Sequence, residues 1–129
     1  MTELHPNAQV VLKGFQAFAE GDMATMRELF TEDAVWHVGG HNRWTGDYQG
    51  LDAILEYFGG LAGEASFDQD IHAVLADDEH VATLVNTTAT RGDKALESQT
   101  VFIFHVGGGR VSEVWGTSLD DHATDEFWG

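Results

Sequence analysis

His37 is the residue of this chain best suited to moving a proton. It stands near the end of a short apolar run, residues 34–38, and a Gly-rich turn follows, with Trp44 and Tyr48 leading up to Gly50. That is how an ionisable ring and several aromatic faces come to the mouth of a cavity. An imidazole has an unperturbed pKa of about 6.5, so on a pocket wall it serves as general base or acid near neutral pH. Desolvation in an apolar cavity favours the neutral ring, which suits a base, and a neighbouring carboxylate does the reverse. By position that carboxylate is Asp120, just past the last β-rich run, with Asp121 an open alternative. Plainer readings stand beside these: His37 as a structural imidazole with a backbone hydrogen bond, and Asp120 as a surface carboxylate in an acidic tail.

The aromatic residues point to a hydrophobic small molecule. Phe15, Phe18, Val35, Trp36, Trp44, Tyr57, Phe102 and Trp115 are the candidates to touch it. Most large rings belong to the core, where burying each contributes on the order of a few kcal/mol. Strand alternation sets Trp36 and His37 on opposite faces, so only one of them enters a cavity directly. Trp44, in a polar Gly-flanked loop, is expected at the rim. Trp115 shares a face with Glu113 and is expected on the outer sheet surface. Phe127-Trp128 is expected to pack back on the protein.

Other chemistries find little support. The chain has no nucleophile motif or phosphate loop and no cysteine. Among its 7 histidines, His37-x-x-x-His41 has helix-like ligand spacing, but Gly39-Gly40 make the segment a strand end and turn. The two rings need not converge there. His72, His80 and His105 share no evident register, so neither a metal nor a cofactor is expected. With 22 acidic against 6 basic residues, the net charge of −16 argues against nucleic acid and anionic membranes as partners. The excess acid reads either as a solubilising surface or as adaptation to high salt. No apolar run reaches the roughly 20 residues of a membrane span, and the start lacks signal-peptide character. With no cysteine to oxidise, a cytoplasmic location is expected.

The elements that must position these residues follow from periodicity. In residues 7–20, Val11, Phe15 and Phe18 recur at helical spacing, with Val10 and Ala17 widening the stripe. Gly21 ends that helix and Asp22 caps a second over 23–30. Thr31-Glu32-Asp33 reads as a turn and 34–38 as a short strand. Leu51, Ile54, Leu55 and Phe58 share one face of a third helix, closed by Gly59-Gly60. Residues 67–76, 80–91, 94–106 and 110–118 are β-rich, separated by the hairpin signals Asp77-Asp78-Glu79, Gly92-Asp93 and Gly107-Gly108-Gly109. Within 94–106, Leu96, Ser98, Thr100, Phe102, Phe104 and Val106 share one face, and Glu97, Gln99 and His105 the other. Three helices, a short strand and a four-stranded meander make one α+β domain over residues 1–129. A strongly bent sheet over the helices would leave a cone whose open end holds a ligand.

This order, with Gly21-Asp22, Leu29-Phe30, Glu32-Asp33-Ala34-Val35-Trp36, Gly50 opening a helix, Gly109-Arg110-Val111 and Glu113-Val114-Trp115, resembles a known family. It is similar, from Asn7 to Trp128, to the SnoaL-like, ketosteroid-isomerase-like branch of the nuclear transport factor 2-like superfamily. That superfamily includes ketosteroid isomerases, limonene epoxide hydrolases and polyketide cyclases. The resemblance implies a cystatin-like α+β barrel, in which a curved, cone-shaped, mainly antiparallel sheet wraps three N-terminal helices. It further implies a homodimer with a deep apolar pocket. His37 aligns at or beside the isomerases' general-base aspartate, or where the epoxide hydrolases have a water-positioning asparagine. Asp120 lies nearest the cyclases' acid/base aspartate. The isomerases' oxygen-holding tyrosine and aspartate fall near Phe15 and Phe102, which donate no hydrogen bond, so that activity is not implied. The hydrolases' Arg-x-Asp pair would lie on 80–91, where Asn86 and Thr88 stand instead.

Three functions are consistent with this reading, since one fold hosts many. The first is an isomerase, cyclase or dehydratase that acts on a hydrophobic carbonyl compound by His-mediated proton transfer. The second is a non-catalytic binder of a small apolar ligand. The third is a module that docks a protein partner on the outer sheet face.

Overall fold

The structure is a computed structural model and describes residues 4–129. Helix α1, Pro6–Glu20, starts where Pro6 needs no N–H partner, and His5 Nδ1 accepts from the Asn7 N–H at 3.0 Å. Gly21 closes it in the left-handed region, at φ 68°. Helix α2, Met23–Leu29, is capped by Asp22, which accepts from the Thr25 N–H at 3.1 Å and hydroxyl at 2.6 Å. It stops one residue short of the expected Phe30, which opens strand β1, Phe30–Val38. The expected turn at Thr31-Glu32-Asp33 is thus extended chain. The pairing of β1 shifts register between Phe30 and Val35, so this polar stretch interrupts the ladder without ending the strand.

Strand β2, Gly46–Gln49, pairs with β1 and was not anticipated from its composition. Helix α3, Leu51–Glu64, runs through Gly59-Gly60 instead of ending there. Its first turns bury Leu51, Ile54, Leu55 and Phe58, and that packing carries the helix past two poor helix formers. Strands β3, Ser66–Ala76, β4, His80–Arg91, β5, Lys94–Gly107, and β6, Arg110–Ser118, form the expected antiparallel meander. Gly108 and Gly109 turn β5 into β6 with φ of 60° and 79°, both in the region that glycine favours. A fourth helix, α4, Asp121–Trp128, folds the tail back with Phe127 and Trp128 buried.

The six strands form one curved open sheet in the order β2-β1-β6-β5-β4-β3. Only the β1–β6 contact is parallel, so the last strand returns beside the first. Two cross-strand rows explain the rest. On the inner face Ala76, Val81, Phe104, Val114, Trp36 and Tyr48 stand side by side. On the outer face, one residue along, stand Leu75, Ala82, Ile103, Trp115, His37 and Asp47. The inner row packs with α1 and α3 into the main core, around fully buried Ile54, Val81, Val106 and Val114. A satellite core of Ala89, Leu96, Phe127 and Trp128 holds α4 to the sheet. No helix among the described residues is long and apolar enough to cross a membrane.

Candidate functional site

A cavity opens between the helices and the concave face of the sheet, in two lobes that share a waist. The inner lobe, about 600 Å³ with its mouth included, is walled by apolar side chains such as Val11, Phe15, Met26, Phe30 and Phe104. Helix α1 supplies Val10, Val11, Gly14, Phe15 and Phe18 to it because these share the face turned to the sheet. The outer lobe, a vestibule of about 800 Å³ measured the same way, lies beneath α4 and the loop after β1. Phe18, Trp36, Tyr57, Leu61, Gln69 and Phe102 border both lobes.

The waist is an aromatic assembly. Trp36 meets Phe58 edge-on at 4.9 Å and 90°, and Phe102 at 5.8 Å and 67°. Phe15 meets Phe102 at 5.7 Å, again edge-to-face, the geometry that aromatic quadrupoles prefer. Gly116 makes room for this: a Cβ there would stand 2.9 Å from the Phe102 ring. The ring therefore sits directly against the β6 backbone, and the cavity keeps its width.

Polar groups are few, and they concentrate in the vestibule. Thr87, Ser98, Thr100, Thr117, Ser118 and Thr124 bring hydroxyls, and among the described residues Asp121 brings the one carboxylate on either wall. Tyr57 stacks on Tyr48 at 4.4 Å and 24°, while the Tyr48 hydroxyl donates to the Trp44 carbonyl at 2.7 Å. Burial pushes the Tyr57 phenol well above its ordinary range, so its hydroxyl stays protonated. The indole Nε1–H of Trp44 is buried with no hydrogen-bond partner among the described residues.

The rim is clamped. Asp125 of α4 accepts from the His41 N–H at 3.0 Å and from Asn42 Nδ2 at 2.9 Å. Those bonds, Asn42's foremost, hold its carboxyl below the usual aspartate value. Arg43 pairs with Glu64 at 2.6 Å, with its guanidinium 5.4 Å from the Trp44 ring and 5.6 Å from that of Trp128. Trp44 itself packs onto Gly60, where a Cβ would stand 2.8 Å from its ring.

Of the residues singled out from sequence, Phe15, Phe18, Trp36, Trp44, Tyr57 and Phe102 line the cavity. His37 does not, and its expected place inside is corrected by strand parity. Trp36 brings more apolar surface, is 8% exposed and takes the inner face, so His37 faces outward. There its Nδ1 meets Asp47 at 2.7 Å and its Nε2 meets Glu113 at 2.6 Å, with the ring stacked on Trp115 at 5.6 Å. Glu113 first and Asp47 second raise its pKa above the ordinary imidazole value. Val35 and Trp115 share that outer face and line neither lobe. Asp120 is also absent from both walls: it caps α4, accepting from the Ala123 N–H at 3.1 Å. Its neighbour Asp121, an exposed residue, borders the outer lobe, and the carboxylates that meet His37 are those of Asp47 and Glu113. The N-cap rule carries the signal for Asp120 once α4 is recognised, because a capping carboxylate is turned to the backbone. Among the described residues, no three His, Asp or Glu side chains gather to hold a metal ion.

Comparison with known proteins gives a consistent picture. Residues 11–114 match the SnoaL-like domain family. Bal32a, from a soil-derived mobile gene cassette, superposes with a TM-score of 0.92 at 39% identity, over 96% of this chain and 97% of its own. The uncharacterized protein Rv0034 of Mycobacterium tuberculosis is 29% identical over 92% of this chain and 93% of its own length. IdmH of Streptomyces antibioticus, a candidate polyketide cyclase, shares the fold with a TM-score of 0.79 at 19% identity, over 93% of this chain and 96% of its own.

Proposed function

This chain belongs to the SnoaL-like family, and on that premise we propose that it holds a small, flat, hydrophobic molecule in the two-lobed cavity. One observation carries the reading. The waist of Phe18, Trp36, Tyr57 and Phe102 opens into an inner lobe whose wall bears no charged side chain among the described residues. Such a site stabilises an apolar ligand by removing its surface from water, at about 25 cal/mol per Å², and favours flat rings that present edges and faces to its own. Binding comes before chemistry here, because the imidazole on which proton transfer was to depend lies outside the cavity.

Proton transfer is the second reading, and Asp121 is the observation that favours it. As the sole carboxylate on the wall among the described residues it is the group to take a proton, and Tyr57, kept protonated, is the group to donate to a ligand oxygen. The fold shared with IdmH, a candidate cyclase, agrees with that reading without carrying it. Calorimetric titration with naphthylmethanol tests the binding reading. Binding is expected in the unaltered protein and is lost in Gly14→Leu, whose new side chain fills the inner lobe. Equal binding by both proteins would place the ligand elsewhere.

The outer sheet face is proposed to pair with a second copy of the chain. Ile103 and Trp115 are neighbours in register, each 41% exposed, in the same row as Leu75 at 71%. Beside them His37 is flanked by Asp47 and Glu113, and when protonated it offsets one of their two charges on this face. That lets two strongly acidic chains approach here.

A further inference from the structure

The cavity is unbalanced in charge. Asp121 stands on the vestibule wall, and no Lys, Arg or His side chain lines either lobe among the described residues. The same lobe carries ring surface from Trp36, Trp44, Tyr57, Phe102 and Trp128, beside hydroxyls such as those of Ser98, Thr100 and Thr117. The nearby cations are engaged outside. Arg43 is paired with Glu64, and Arg91 donates to the Phe127 carbonyl at 2.8 Å. Both guanidinium groups also lie within 6 Å of the Trp128 ring centre, at 5.6 Å and 5.8 Å, so this indole is already engaged by the protein's own cations.

These features sort ligands by charge. An anion would leave water to face an aspartate in a molecule of net charge −16, with no counter-ion on the wall. A neutral ligand could at most donate a hydrogen bond to Asp121, without an ion pair. A cation gains three ways: from the carboxylate, from the negative faces of the rings, and from the field of the whole protein that draws it to the mouth.

We propose that the ligand is a hydrophobic organic cation, with a flat apolar body in the waist and inner lobe and an ammonium or amidinium group in the vestibule against Asp121. This deepens the small-molecule reading above and rests on it. The group next to the ligand's charge is then the one side chain on the wall that can form an ion pair with it, and the rings replace its lost water.

Two probes of nearly equal size and shape test this by calorimetry at moderate salt: naphthylmethylamine, protonated near neutral pH, and naphthylmethanol, neutral. The amine is expected to bind about tenfold or more tightly than the alcohol. Asp121→Asn should cut that ratio by about threefold or more, with the loss falling on the amine and any change in alcohol affinity the smaller of the two. Asp120→Asn removes the same charge outside both lobes and should preserve the ratio. Alcohol binding as tight as the amine's overturns the inference and leaves the small-molecule reading standing. An amine preference that survives Asp121→Asn in full overturns it too, by assigning the selectivity to the protein's general field. Failure of both probes to bind removes the inference and the reading together.

Discussion

Trp36 and His37 are adjacent in sequence and stand on opposite sides of one sheet. Trp36 meets Phe102 at 5.8 Å inside the cavity, while His37 bridges Asp47 and Glu113 outside, at 2.7 Å and 2.6 Å. The pair divides the protein's business between two faces. In the proposed reading, the ligand lies on the tryptophan side and a second copy of the chain pairs on the histidine side.

The histidine side predicts a pH dependence of stability. The carboxylates of Glu113 and Asp47 raise the folded pKa of His37, so the native state holds its proton more tightly than the unfolded chain. The stabilisation is fully present below the unfolded value of about 6.5 and is lost as pH rises through the higher folded value. Melting temperature should therefore fall as pH rises above about 6.5 in the unaltered protein, and His37→Gln should flatten that slope. A slope that His37→Gln leaves unchanged assigns it to other groups.

Two neighbouring glycines of α3 should respond in opposite ways to alanine. Nothing lies within 4 Å of a Cβ at Gly59, so Gly59→Ala should stabilise by about 0.5–1 kcal/mol through reduced freedom of the unfolded chain. At Gly60 the new carbon meets the Trp44 ring at 2.8 Å, and the indole is itself packed against Tyr57 and Trp128. Gly60→Ala should cost about 1–3 kcal/mol as an overpacked site. Urea unfolding of both variants decides it, and two changes of the same sign contradict the packing described.

The β half of the fold is legible because its signals are redundant. Three turn clusters punctuate long runs, and alternation in β5 separates Phe102 and Phe104 from Gln99 and His105 without ambiguity. Element β2 spans 4 residues without a β-branched side chain, and α4 is a short, acidic helix, so neither declares itself locally. The end of α3 was misread because Gly59-Gly60 is a local stop, whereas the helix is held by tertiary packing. The site was legible in part. Alternation separates Trp36 from His37, but it does not say which faces inward. That depends on Phe104 and Val114, neighbours from distant parts of the chain that form the buried row beside Trp36.

The rim clamp gives a local prediction. Asp125→Ala removes the acceptor of the His41 N–H and of Asn42 Nδ2. Hydrogen exchange at the His41 amide should quicken markedly while amides in the centre of β4 keep their protection. Unchanged exchange at His41 would show that the loop is held without α4.

Self-association through the outer face predicts a particle of twice the 14.1 kDa chain mass by light scattering at micromolar concentration and moderate salt. Lowering the salt should weaken it, because two chains of net charge −16 are then less screened. Trp115→Lys should yield monomers with the cavity intact. A monomer in the unaltered protein at moderate salt contradicts the pairing.

The central claim is that the aromatic cavity is where the ligand goes, and a crystal structure of the protein with naphthylmethanol tests it most directly. The account predicts ring density between Phe18, Trp36 and Phe102, reaching into the lobe lined by Val11 and Phe104. A probe seated only on the outer face against Trp115, with that lobe empty at saturation, would contradict it.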